Sequence, residues 1–384
     1  MNDLSDLTAQ CIRCGFCLES CPTYVETGEE GASPRGRIYL VRSAVEGNLS
    51  WTDAVQEHLD SCLGCRACET ACPSGVKYGE ILEQSRQEVE TRSPNRGKKI
   101  LLETSARPWI FALAQKAPGK TIPRFLSRML SPEVPTALKP VPQANDGWPE
   151  IDVSTLPEIV GEIVLWQGCA MRVLFPRVHT ATRRLLRRIG YRVHDADPPC
   201  CGALHAHNGY LDQGKAMLAK ALEKAPKDLP IIVNSAGCGS WLKDASDRVG
   251  IFDISEFLLD NGLVDSLNQS KGLSSVATYH DACHLAHGQG IRSQPRELLN
   301  AIPGLTLLPL AESDHCCGSA GIYNFTQPQM AKQLLDRKVA NVLQTKADIV
   351  VLGNPGCHAW LVQGLQGSGV EPLHLAEILE RSFA

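Results

Sequence analysis

The sequence predicts an α+β protein in which a helical N-terminal module precedes two copies of an α/β domain. Three observations predict it. Cysteines recur in two matching rhythms, Cys11-Ile-Arg-Cys14-Gly-Phe-Cys17-Leu-Glu-Ser-Cys21-Pro22 and Cys62-Leu-Gly-Cys65-Arg-Ala-Cys68-Glu-Thr-Ala-Cys72-Pro73, among stretches of helical apolar spacing. Ten prolines fall between residues 93 and 160 and mark a connector. From residue 161 a frame repeats: Cys, about thirty residues, Cys-Cys-Gly, about forty residues, Cys. These features divide the chain into residues 1–92, 93–160, 161–268 and 269–384.

In the first part, residues 3–10 lead as a helix into the first cysteine loop. Ser33-Pro-Arg-Gly-Arg37 is a turn that starts a helix over residues 38–45, and residues 78–89 form another. A [4Fe-4S] cluster needs four converging thiolates, and a tight loop with Cys at every third residue supplies three. Gly15 and Gly64 free the backbone where it passes close to sulfide. In a two-cluster ferredoxin-type domain the fourth thiolate is the Cys before Pro in the other repeat. On that pattern cluster one takes Cys11, Cys14, Cys17 and Cys72, and cluster two takes Cys62, Cys65, Cys68 and Cys21. Structural zinc competes for such knuckles, but it usually draws on two Cys pairs. Each loop here has three cysteines at a spacing of three plus a Cys-Pro, eight for two centres.

The connector's first half carries Arg96, Lys98, Lys99, Arg107, Lys116, Lys120, Arg124 and Arg128 against one acid, Glu103. Trp109, Ile110, Phe111, Leu113, Phe125, Leu126 and Leu130 lie between them. Such a stretch forms short helices packed on the chain's own domains, or a basic amphipathic surface for a membrane or partner.

In the repeats, apolar runs read as buried strands. Residues 163–168 deliver Cys169, residues 192–195 precede Cys200-Cys201-Gly202, and residues 231–235 deliver Cys238. In the second copy residues 275–280 deliver Cys283, residues 305–308 precede Cys316-Cys317-Gly318, and residues 348–352 deliver Cys357. Helical stretches at 177–189, 211–224 and 327–343 alternate with them, which implies parallel sheets. Cysteines just past the carboxyl ends of strands lie where open α/β sheets bind ligands. The quartets Cys169, Cys200, Cys201, Cys238 and Cys283, Cys316, Cys317, Cys357 would hold a further cluster, zinc or a redox-active vicinal pair, either in one crevice per copy or around a shared interface. His280, His284 and His287 share a helical face beside Cys283, but read as structural histidines or as modulators of a thiol rather than as three ligands. His205, His207 and His315 are read the same way, and Trp241 and Trp360 as apolar packing.

Composition is that of an ordinary globular chain: 384 residues, 43% hydrophobic, 21% charged, net charge −4. It gives no bias toward nucleic acid. Sixteen cysteines in a chain this size do not call for a disulfide framework. The start lacks the basic and apolar regions of a signal peptide, and no apolar run approaches a membrane span, so a cytoplasmic location is expected. No Gly-x-Gly-x-x-Gly follows a strand and no phosphate loop occurs. Clusters move single electrons, whereas oxidising an alcohol calls for a hydride acceptor such as a flavin. A flavoprotein partner is implied, and the chain is not expected to oxidise substrate alone.

Nearly the whole chain resembles the iron-sulfur subunits of glycolate oxidase (glycolate dehydrogenase). The resemblance rests most on residues 11–22, Ser33-Pro-Arg-Gly-Arg-Ile38, residues 62–73, Asp281-Ala-Cys-His284 and Cys316-Cys-Gly-Ser-Ala-Gly321. The same architecture is similar to the iron-sulfur subunit of anaerobic glycerol-3-phosphate dehydrogenase and to heterodisulfide reductase. The resemblance implies an FAD-containing partner subunit oxidising glycolate to glyoxylate, and electrons leaving through two [4Fe-4S] clusters to a quinone or other acceptor; the basic connector adds the alternative of peripheral association with the inner face of the cell membrane. Another 2-hydroxy acid or glycerol-3-phosphate as substrate, or a thiol/disulfide enzyme, are the alternatives it implies. In the wider family the Cys-Cys-Gly domains can hold a non-cubane cluster, and the fullest motif ends in Cys-x-x-Cys. Here the endings are Cys238-Gly-Ser-Trp241 and Cys357-His-Ala-Trp360, which counts against that cluster and against disulfide reduction.

Overall fold

The computed structural model describes residues 3–107, 148, 151, 154 and 156–384. The expected short helices and amphipathic surface of residues 108–130 lie outside them. No helix among the described residues is long and apolar enough to cross a membrane.

The N-terminal module is helical. Helices Leu4–Ala9, Pro22–Thr27, Pro34–Val45, Ala54–Asp60, Ala67–Thr70 and Tyr78–Arg92 surround the two cysteine loops. The third begins where Ser33 accepts from the Gly36 N–H and Pro34 occupies the first turn, the pairing of cap and fixed φ that starts helices. Leu7, Val41, Val55, Ile81 and Val89 meet in one apolar cluster with Cys62 and Cys68 at its edge. Helix Arg96–Ser105 follows, held by buried Lys98, whose Nζ lies 2.6 Å from Glu90 and 3.1 Å from Asp60.

Two four-stranded parallel sheets form the rest. The first contains β1 (Gly161–Trp166), β2 (Tyr191–Ala196), β3 (Ile231–Val233) and β4 (Ile251–Asp253) in the order β2-β1-β3-β4. The second contains β5 (Ser275–Tyr279), β6 (Leu305–Leu308), β7 (Ile349–Leu352) and β8 (Glu371–His374) in the order β6-β5-β7-β8. β3 and β7 are buried on both faces, which is why they read as unbroken apolar runs. The sequence pattern does not predict β4 and β8: one is three residues long, and the other contains Pro372. An edge position tolerates the missing N–H of proline. Each leads straight into a helix with a capping box, Asp253 with Glu256 and His374 with Glu377.

The copies share a core. Ile163, Leu185 and Ile232 of the first pack in one cluster with Tyr279, Val351 and Leu379 of the second. Each such side chain contributes roughly 2 kcal/mol of burial. The backbones also meet where β3 and β7 end: Ala236 N–H donates to Gly353 O at 3.0 Å, and Gly237 N–H to Asn354 Oδ1 at 3.0 Å. Arg184 and Arg188 of the first copy both bind buried Glu380 of the second.

Candidate iron-sulfur and thiol sites

The strand order places a topological switch between β1 and β3 and again between β5 and β7, the crevice that open α/β sheets use for ligands. Cys169 and Cys238 follow β1 and β3, and Cys283 and Cys357 follow β5 and β7. Each Cys-Cys turn is swung toward its crevice by its glycine. Gly202 has φ +83° and Gly318 φ +88°, and a Cβ there would stand 2.3 Å from Gly214 O or 2.5 Å from Ala331 O. Only glycine fits both demands.

In the N-terminal module, Cys11, Cys14, Cys17 and Cys72 line one small cavity together with Cys68, Pro73 and Tyr78. Cys14 is exposed, and Cys11, Cys17 and Cys72 are half-buried. Gly15 and Gly64 hold φ values of +89° and +65° at the turns of the two loops. Cys21, Cys62, Cys65 and Cys68 are buried. Burial pushes the Cys65 and Cys68 thiols well up, and each also feels charge on Cys62 and Cys21. The four therefore sit within electrostatic reach of one another.

Two guanidinium groups that sequence reasoning missed serve the second loop. Arg37 is 1% exposed. It donates to His58 O (2.6 Å), Thr23 Oγ1 (3.0 Å) and Ser61 Oγ (2.9 Å), and lies 3.8 Å from Cys21 Sγ. Arg86 donates to Leu59 O (2.7 Å) and Cys62 O (2.6 Å) on one side and to His207 O (2.6 Å) on the other. Against the cost of burial, Arg37 and Arg86 hold the Cys62 thiol below its ordinary value, helped by the Gly64 N–H at 3.4 Å and the Tyr78 hydroxyl at 3.6 Å. The signal was present: Arg37 shares a helical face with buried Val41 and Ala44.

The second loop is wedged between the repeats. Leu63, Cys65 and Ala67 pack in one cluster with Cys316, Cys317 and Cys357, and Cys65 also feels charge on Cys283. Tyr323 donates to Ser61 O at 3.0 Å. Burial pushes His284 down to about 3, so the ring is neutral and its Nε2 donates to Gly64 O at 3.0 Å. The first copy is held by polar contacts, Arg66 to Asp244 at 2.5 Å and His207 to Glu83 at 2.7 Å.

Each copy gathers its four thiols. Cys201 and Cys238 lie 3.8 Å apart, and Cys200 is within hydrogen-bond reach of Cys169 and Cys201, which hold it well below its ordinary value. In the second copy Cys316 and Cys357 hold Cys317 well down in the same way, while Cys283 reaches Cys316. A shared cleft of about 2100 Å³ is lined by Cys62, Cys169, Cys200, Cys201, Cys238, Cys283 and Cys357, of which Cys169, Cys238 and Cys283 are half-buried and the others buried. Of the histidines, His284 and His287 are engaged by backbone and hydroxyl groups. His207 is held by Glu83, His205 lies near the charge on Cys200, and burial pushes His315 down. Trp241 and Trp360 are both buried, and Trp241 also donates its indole N–H to Cys201 O at 2.9 Å.

Residues 8–76 match a 4Fe-4S dicluster domain, and residues 163–243 and 277–362 each match a cysteine-rich domain. The probable glycolate oxidase iron-sulfur subunit of Bacillus subtilis is 34% identical across 96% of this chain and 92% of its own length. The glycolate oxidase iron-sulfur subunit of Escherichia coli is 33% identical across 97% and 93%. A dihydromethanophenazine:CoB–CoM heterodisulfide reductase chain from Methanosarcina acetivorans is 26% identical across 94% and 92%.

Proposed function

From a chain that belongs to the family of glycolate oxidase iron-sulfur subunits, and is thus an electron-transfer subunit of an oxidoreductase complex carrying [4Fe-4S] clusters, we propose a specific task. It accepts electrons from an FAD-containing subunit that oxidises glycolate to glyoxylate and passes them toward a quinone or another acceptor. Cys11, Cys14, Cys17 and Cys72 hold one cluster, and Cys62, Cys65, Cys68 and Cys21 the other. The donor set fits: eight thiols in two groups of four, with the Cys-Pro cysteine exchanged between loops.

The observation that supports this reading is the closeness of the two loops: Cys72 and Cys68 both reach the cavity of the first loop, and Cys21 lies within electrostatic reach of Cys65 and Cys68 as well as of Cys17. When bound, the clusters supply one-electron transfer. The protein's own residues set the surroundings. Arg37 and Arg86 offset buried negative charge at the second loop, which would otherwise cost several kcal/mol. The Tyr78 hydroxyl donates toward Cys62, and hydrogen bonds to ligand sulfur are one of the levers on potential. At the first loop the exposed side chains of Ile12 and Phe16 flank Cys14 and offer a partner a close approach. The basic stretch of residues 96–128 supports a peripheral position on the cytoplasmic face of the membrane.

The test is reconstitution with the purified flavin subunit. Wild-type chain should support glycolate-dependent reduction of an acceptor dye and contain about eight irons and eight sulfides in its N-terminal module. Cys65→Ser should lose about half of that iron and most of the dye reduction. Full activity in Cys65→Ser would remove the second cluster from the route.

A further inference from the structure

The second repeat carries a donor that the first lacks. His280 follows β5 directly and is 1% exposed. Its Nδ1 lies 3.1 Å from the Ser313 carbonyl, so the proton sits on Nδ1 and Nε2 keeps its lone pair. That Nε2 is buried and has no oxygen or nitrogen partner among the described residues; the neighbour it meets is the Cys317 sulfur. A ring nitrogen of His280, Cys317 Sγ and Cys357 Sγ all lie within 4.8 Å of one another.

We propose that the second repeat, and not the first, binds one divalent cation of the zinc type through His280 Nε2, Cys317 and Cys357, with its fourth position beside Cys283. The donor chemistry is two thiolates and a neutral imidazole, which suits a borderline-soft metal and tends toward tetrahedral geometry. With metal–sulfur bonds of about 2.3 Å and metal–nitrogen bonds of about 2.0 Å, tetrahedral donors stand roughly 3.5 to 3.8 Å apart. The present separations, none above 4.8 Å, exceed that spacing by about 1 Å at most. Outer contacts of the expected kind are already present: Ser313 O fixes the histidine tautomer, and Asn354 Nδ2 lies 3.8 Å from Cys357 Sγ. Cys283 and Cys357 face the shared cleft, which gives a metal a way in.

The first repeat cannot copy this site. Trp166 occupies the position equivalent to His280, three residues before the first cysteine of the frame, and an indole has a donor but no acceptor. The two repeats would therefore differ in metal content despite equal cysteine counts, whatever substrate the flavin subunit takes.

The experiment is anaerobic metal and sulfide analysis of the full chain, followed by loading with Co(II), whose thiolate charge-transfer absorption reports sulfur ligation. One non-iron equivalent is expected in wild type and in Cys201→Ser. It should be absent in His280→Ala and restored in His280→Cys, with N-terminal iron unchanged in all four. Circular dichroism checks that each variant is folded. Retention of the equivalent by folded His280→Ala overturns the proposal, as does its loss in Cys201→Ser. Extra iron rising in step with sulfide in wild type also overturns it, because that assigns a cluster to the thiols.

Discussion

The two repeats are built on one frame and serve different neighbours. Both have four parallel strands in the same order, a glycine of φ near +85° after the vicinal cysteines, and a thiol past each of the two central strands. Yet the second copy shares an apolar core with the inner cysteine loop, whereas the first meets the module through ion pairs and hydrogen bonds at its rim. Strand order decides where thiols gather. What those thiols touch is decided by side chains that the repeat does not copy, Trp166 against His280 and Ser235 against Asn354.

The equivalence of the frames breaks most visibly at their glycines. Gly202→Ala and Gly318→Ala should each cost about 3 kcal/mol or more, from positive φ and a Cβ forced against backbone oxygen. Both should appear as large and similar drops in the urea midpoint. A mild effect at one site alone would mean that only the other turn is held by its helix.

A pH titration probes the seam between the copies. Burial pushes His374 down to about 3; its Nδ1 accepts from Ala376 N–H at 3.1 Å, and its Nε2 donates to Asn234 O of the other copy at 3.0 Å. Because the folded value lies below the unfolded value of about 6.5, its contribution is complete above pH 6.5 and falls as pH drops toward 3, by roughly 2 kcal/mol at pH 5. Limited proteolysis at pH 7.5 and pH 5 should show the loss, and His374→Asn should flatten that pH dependence. The smallest effect is expected from Tyr323→Phe, which removes one hydrogen bond between the second copy and the inner loop, about 1 kcal/mol. Hydrogen exchange at residues 61–65 would register it, and unchanged exchange there would leave the His284–Gly64 hydrogen bond and the apolar packing as the ties that matter.

Much of this architecture is legible because its signals are local. The cysteine rhythms and the apolar runs of β1, β3 and β7 each announce themselves within a dozen residues. β4 escapes notice because three residues carry no period, although Asp253 and Glu256 spell a capping box after it. Arg37 reads as part of a turn because the carbonyls and sulfur it serves, at His58 and Cys21, are neighbours only in space. In sequence His280 looks like one of three similar histidines. Only the fold separates it from His284 and His287, because among the described residues it is the one of the three that stands with the sulfurs of Cys317 and Cys357.

The separation in sequence between the inner loop and its walls sets an order of maturation. Everything that lines the outer loop's cavity lies between Cys11 and Tyr78, so that cavity can close while the rest of the chain is still being synthesised. The inner loop waits for Arg86, then His284 and Tyr323, and finally the apolar cluster that includes Cys357. Until roughly nine-tenths of the polypeptide has emerged, its thiols lack the shelter they have in the finished protein, and iron delivered there early would meet an open site.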